Sequence, residues 1–151
     1  VFTGDKSSDF LYKCLHKAKI SNQNNSDHVN DGLKLNKAYI TTALKCVPPE
    51  DKPLKKELDN CSSYFEKEIN YLKNLKVIVA LGKIAFDSCK YFYQKQFNLE
   101  KEIKFGHGKV FKLENGISLV GCYHPSPRNV NTGRINEKKM VSLFNKIKKM
   151  Y

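Results

Sequence analysis

The sequence predicts an α/β sandwich built on a mainly parallel sheet. Three observations carry that expectation. Short apolar runs alternate with segments of helical spacing along the whole chain. One run, "KVIVAL", is apolar without interruption, the mark of a strand covered on both faces. Gly82 closes that run directly before a helical segment, the order expected of a strand that crosses over to a parallel neighbour.

The elements follow in order. A first helix is capped by Ser7 or Ser8 and carries Phe10, Leu11, Cys14, Leu15 and Ala18 on one face. The polar run "SNQNNSDHVNDG" reads as a loop. "AYITTAL", residues 38–44, is β-branched and aromatic and predicts a strand. Pro48, Pro49 and Pro53 then break the chain. A helix is expected from Pro53 to Asn74, with Leu58, Cys61, Tyr64, Phe65, Ile69 and Leu72 toward one side. After "KVIVAL" comes a helix in "KIAFDSCKYFYQKQF". "KVFKLENGISLVGCY" reads as two strands joined by a turn at Asn115-Gly116. "NEKKMVSLFNKIKKMY" is a basic amphipathic helix, read as lying on the sheet with its lysines in water. No repeat or second domain is visible, so residues 1–151 are read as one domain.

With 151 residues, 40% of them hydrophobic, the chain has enough apolar material for a real core. The 27 Lys and Arg against 15 Asp and Glu leave a formal charge of +12, which favours a polyanion, nucleic acid first, over a merely solvated lysine surface. No apolar run approaches a membrane span and no signal peptide is visible, so a soluble intracellular protein without a membrane partner is the default; the further expectation is of a cytoplasmic, nucleoid-associated monomer. The five cysteines are odd in number, which argues against a disulfide framework. Cys14, Cys89 and Cys122 sit in apolar patterns and read as buried thiols. Cys46 and Cys61 flank the proline-rich segment, and two cysteines are half of a four-ligand metal site.

In open α/β folds, ligands bind at the carboxyl ends of the strands. Loops begin there after "AYITTAL", after "KVIVAL" and after "ISLVGCY". The third is led by His124 and continues "PSPRNVNTGR". Pro125 and Pro127 stiffen it, Gly133 permits close backbone approach, and Arg128 and Arg134 can meet phosphates.

Taken together, "FTGDKSSDFLYKCLHKA", "DGLKLNKAYITTALKCVPPEDKP", "VIVALGKIAFDS", "FGHG" and "YHPSPRNVNTGR" occur in one order over nearly the whole chain. That series resembles the iron–sulfur uracil-DNA glycosylases, and most closely their fifth family, or type B. The resemblance implies a three-layer α/β/α sandwich around a four-stranded, mainly parallel sheet. It implies a monofunctional enzyme that flips uracil, and other deaminated bases, out of DNA and hydrolyses the base–sugar bond, leaving an abasic site.

The resemblance also assigns roles. Phe2 would stack on the flipped base and Asp5 would position the attacking water. His124 would donate to the O2 of the leaving base, where negative charge develops. Ser126 would hold a phosphate. Pro127 to Arg134, with Arg128, Asn129 and Asn131, would form the loop that enters the duplex. Cys46 and Cys61 would be the third and fourth ligands of a [4Fe–4S] cluster. Thr42 stands where the fourth family has a base-reading asparagine. A threonine lacks an amide's paired donor and acceptor, so a pocket broader than strict uracil selectivity is expected.

Alternatives stand beside these roles. Asp5 is also readable as a turn residue or helix cap, Phe2 as core, and His107 of "FGHG" as a residue that supports the site or packs a loop. The family's leading Gly/Ala/Pro-rich loop and its two N-terminal cysteines have no counterpart here, and the domain is read as N-terminally incomplete. The rival functional readings are a non-catalytic, basic DNA-binding module that keeps the glycosylase fold, and a structural protein built around zinc or a cluster.

Overall fold

The structure is a computed structural model that describes residues 3–45, 53–97 and 102–151. The chain forms two compact units, Val1–Thr41 with Tyr123–Tyr151, and Thr42–Cys122. The first is discontinuous in sequence, with the second inserted between its parts.

The inserted unit holds the sheet. Its elements are α2 (Lys55–Tyr71), β1 (Val77–Leu81), α3 (Lys83–Phe97), β2 (Val110–Lys112) and β3 (Ser118–Cys122). The strand order is β1-β3-β2, with β1 parallel to β3 and β2 antiparallel to it. Val77 pairs with Ser118 and Leu81 with Cys122, so both parallel strands end level. The turn at Asn115-Gly116 is present: Gly116 N–H donates to Leu113 O at 2.9 Å and Asn115 Oδ1 accepts from Ile117 N–H at 3.2 Å.

Every residue of β3 is buried, whereas β1 buries only Ala80. The fully covered strand is therefore "SLVGC" rather than "KVIVAL", because among the described residues β3 has a hydrogen-bonded neighbour on each side and β1 on one. Phe86 anchors the core under the sheet, edge-on to Phe105 at 5.5 Å and to Phe111 at 5.8 Å. Phe92 of α3 meets Phe65 of α2 edge-on at 5.1 Å.

Gly121 shows what the tight sheet requires. A Cβ there would lie 2.5 Å from the Gly106 carbonyl oxygen. The "FGHG" turn is laid against β3 by Gly108 N–H donating to Gly121 O at 2.8 Å, and by Gly121 N–H donating to Lys109 O at 3.0 Å. His107 sits in this turn, partly buried.

The other unit contains α1 (Lys6–Lys17), the short α4 (Pro127–Asn131) and α5 (Glu137–Lys148). Leu11, Cys14 and Leu15 of α1 and Met140, Leu143, Phe144 and Ile147 of α5 are buried where these helices pack. The charged rims also join: Glu137 pairs with Lys13 and Lys17, and Lys148 Nζ donates to Ala18 O at 2.8 Å.

Four expectations are corrected. Residues 38–44 form no strand. Their β-branched composition measures fit to a pleated surface and does not by itself fix a strand. The described sheet is accordingly three-stranded and mixed. The helix expected over 53–74 spans Lys55–Tyr71, its first turn closed by Glu57 reaching back to Leu54 N–H at 2.7 Å. The cap of α1 is Asp5, not Ser7 or Ser8. The stretch after Ser126 begins as a helical turn, because Pro127 at its start is pre-set for helical φ.

Candidate catalytic and nucleic-acid site

The site is built from two segments of the discontinuous unit. The first is Thr3-Gly4-Asp5. Gly4 has φ +72°, a conformation that favours glycine. Its N–H donates to Ser26 O at 3.2 Å, and the Thr3 and Ser26 hydroxyls lie 3.5 Å apart. Asp5 then caps α1. Its Oδ1 accepts from Ser7 N–H at 2.7 Å and Ser8 N–H at 2.8 Å, and Ser8 Oγ accepts from Asp5 N–H at 3.1 Å. The fixed cap holds the Asp5 carboxylate in one place.

The second segment begins at Tyr123. His124 is half-buried, and Pro125 behind it is fully buried. Ser126 caps α4, with Asn129 N–H donating to its Oγ at 3.4 Å. Asn129 ties the segment to its own beginning: its Nδ2 donates to His124 O at 2.9 Å, and its carbonyl accepts from Ile135 N–H at 3.1 Å. Thr132 Oγ1 donates to Arg128 O at 2.8 Å. The Arg134 guanidinium lies over the Tyr123 ring, 5.0 Å from its centroid. Pro127, Arg128, Asn131 and Arg134 are exposed.

These two segments communicate electrostatically. Burial holds the His124 imidazole below the ordinary histidine value, and the negative charge of Asp5 partly opposes that. The lowered value favours the neutral imidazole, whose ring carries one N–H. A neutral imidazole that feels the charge of a fixed carboxylate suits a reaction in which an anionic group departs and water arrives.

Of the other expected residues, Thr42 and Cys61 belong to the inserted unit. Thr42 is half-buried in the inserted unit. Cys61 is buried on α2, and its Sγ accepts from Lys45 N–H at 3.4 Å. Lys45 also pairs with Glu68, one face of α2 further on, at 2.7 Å. Phe2 and Cys46 fall outside the described residues. Among the described residues, no group of three or more His, Cys, Asp or Glu is placed to hold a metal ion. Cys14, Cys89 and Cys122 are buried, as expected, with burial pushing the Cys14 thiol up to about 11 and Cys89 to about 12. A shallow cavity of about 320 Å³, lined by Thr3, Tyr12, Ser26, Asp31, Tyr39 and Ile40 among others, includes none of the expected site residues.

Two contributions were not legible in the sequence. Tyr123 reads as the end of a strand but serves as a platform for Arg134. Lys139 reads as one of many helix lysines, yet its Nζ donates to Gly133 O at 3.0 Å. The "D-x-x-S" spacing from Asp5 to Ser8 was the available signal for the cap.

Comparison with known proteins identifies the family of the chain. Residues 1–148 match the model of the uracil DNA glycosylase superfamily, and the chain belongs to that superfamily. It is 36% identical over 151 residues to a type-5 uracil-DNA glycosylase of Mycobacterium bovis, covering 99% of this chain and 56% of the relative. It is 36% identical over 150 residues to a type-5 uracil-DNA glycosylase of Thermus thermophilus, covering 99% of this chain and 66% of the relative. A type-4 uracil-DNA glycosylase of Archaeoglobus fulgidus is 29% identical over 99 residues, covering 63% of this chain and 48% of the relative. The chain thus spans between 56% and 66% of the length of these two type-5 relatives. Among the described residues, no helix is long and apolar enough to cross a membrane.

Proposed function

We propose that this chain acts as a type-5 uracil-DNA glycosylase, removing uracil and other deaminated bases from DNA by hydrolysis. The observation that carries the reading is the half-buried, neutral His124, locked through Asn129 to the head of an exposed Pro/Arg/Asn segment and sharing a unit with Asp5. Family membership supports the chemistry, and the +12 charge supports a DNA substrate.

In the proposed reaction the bond between C1′ and the base nitrogen breaks, and its electron pair leaves with the base. The His124 N–H donates to the base O2, where that charge collects; loss of such a donor costs about 3 kcal/mol of barrier. Water adds at C1′, oriented by the Asp5 carboxylate, and its proton leaves the site for the base or solvent. Phe2 stacks on the extruded base, Thr42 borders a pocket of broad selectivity, and Ser126, Pro127, Arg128, Asn129, Asn131 and Arg134 form the DNA-engaging segment.

A [4Fe–4S] cluster, held by four thiolates in such proteins, would cross-link the segments that carry its ligands. This chain offers Cys46 and Cys61 as two of the four, and the N–H donated by Lys45 to Cys61 Sγ is the kind of contact that steadies a ligating sulfur. Of these two, Cys61 is among the described residues and Cys46 is not, so the described residues supply one of the four ligands. We also propose that both units belong to one glycosylase domain over residues 1–151, a three-layer sandwich, working as a monomer in the cytoplasm on chromosomal DNA. The match of one family model across both units supports that.

The test is base release by the full-length protein from a uracil-containing duplex, scored as alkali-labile abasic product. His124→Ala should lose product roughly 100-fold or more. Salt-sensitive binding without any product would instead establish the non-catalytic DNA-binding module.

A further inference from the structure

We propose that Lys139 is a positioning residue that ties the DNA-engaging segment to the first turn of α5. Its ammonium donates to Gly133 O at 3.0 Å and to Arg134 O at 3.4 Å. Asn136 caps the same turn, its Oδ1 accepting from Lys139 N–H at 2.9 Å. Lys139 is therefore fixed at both ends: its backbone in the helix cap, its side chain on the segment.

The placement runs against helix electrostatics. Lys139 is the third residue after the cap, where the positive end of the helix dipole disfavours a cation. The two carbonyls it reaches supply the compensating partial charge. They also sit where the segment turns back. Gly133 N–H donates to Val130 O at 3.0 Å, and Ile135 N–H to Asn129 O at 3.1 Å, so Lys139 binds the outer side of a turn whose inner side is already closed. Two residues on, Ile135 is fully buried and anchors the strand of chain leaving the turn. Arg134 between them is held over Tyr123, next to His124. The consequence is that Arg134 and the tip of the segment are ordered before DNA arrives, so less ordering is left for binding to supply.

The inference rests on the glycosylase reading for its purpose but not for its test. Lys139 and Lys138 are both exposed, so neither substitution threatens the core. In the free full-length protein, amide hydrogen exchange at Gly133 and Ile135 should accelerate about two- to fivefold in Lys139→Met, the range of an exposed charged contact. It should be unchanged in Lys138→Met and restored in Lys139→Arg. Unchanged exchange in Lys139→Met, or equal acceleration in Lys138→Met, overturns the proposal. Binding to a duplex with an abasic-site analogue supplies a second readout. A positioning role weakens binding by a constant factor at every salt concentration. A direct phosphate contact lowers the salt slope by about one instead, and that result also overturns the proposal. Wild-type protein that released no uracil would remove the proposed function, while the exchange measurement would still decide the tether.

Discussion

The side-chain amide of Asn129 donates to the main-chain carbonyl of His124 at 2.9 Å, and the carbonyl of Asn129 accepts from Ile135 N–H at 3.1 Å. One residue thus joins the proposed anion-stabilising histidine to the far end of the segment proposed to meet DNA. Asn129→Ala should free both the His124 peptide and the α4 turn. We expect kcat for uracil release to fall about 10- to 100-fold, as a misplaced catalytic group does. DNA affinity should fall less, since the side chain is turned inward. A loss confined to affinity, read from single-turnover rates at saturating enzyme, would make Asn129 only a DNA contact.

Asp5 caps α1 and is proposed to orient water, two roles that substitution can separate. Asn caps helices about as well as Asp, whereas Ala does not. Asp5→Ala should lower stability by about 1 kcal/mol in urea unfolding, while Asp5→Asn leaves it within a few tenths. Both should slow base release if the carboxylate orients water. Full activity in Asp5→Asn would reduce Asp5 to its role as a cap.

The His124 shift fixes a pH dependence. Its folded value lies below the ordinary 6.5 because burial disfavours the imidazolium. The stabilising contribution is then complete above 6.5 and is lost as pH falls through the lowered folded value. A His124→Gln variant should show a smaller acid-induced drop in melting temperature than wild type. For catalysis, the neutral ring is the working form, so kcat/KM should not decline as pH rises from 6.5 to about 8. A tenfold decline per pH unit over that range would show that the imidazolium is required.

Gly121 has an ordinary φ, so its requirement is for space. Gly121→Ala would drive a Cβ to 2.5 Å from the Gly106 carbonyl oxygen, a backbone atom on a neighbouring turn. A cost of about 2 kcal/mol is expected, seen as a lower midpoint in chemical denaturation. An unchanged midpoint would mean that the 105–108 turn moves freely away from β3.

Much of this protein is legible in its residues. Period and composition place α1, α3, α5, β1 and the hairpin of β2 and β3, because these depend on local pattern and on turn chemistry at Asn115-Gly116. The ordered motifs mark His124 and the segment after it. What local pattern does not contain is partnership. Residues 38–44 carry strand propensity but form no strand, and β3 rather than β1 is the covered strand, because burial depends on neighbours from distant sequence. The same reason hides the tethers of the site. Asp5 as a cap was an open alternative, whereas Tyr123 under Arg134 and Lys139 on the Gly133 carbonyl appear only when chain segments meet. The sequence by itself determined the α/β class and the family, since these are properties of residue type and order. Only the tertiary structure decided which of the candidate side chains are held and by what, and that burial disfavours the charged form of His124, since hydrogen-bond geometry and desolvation arise from packing alone.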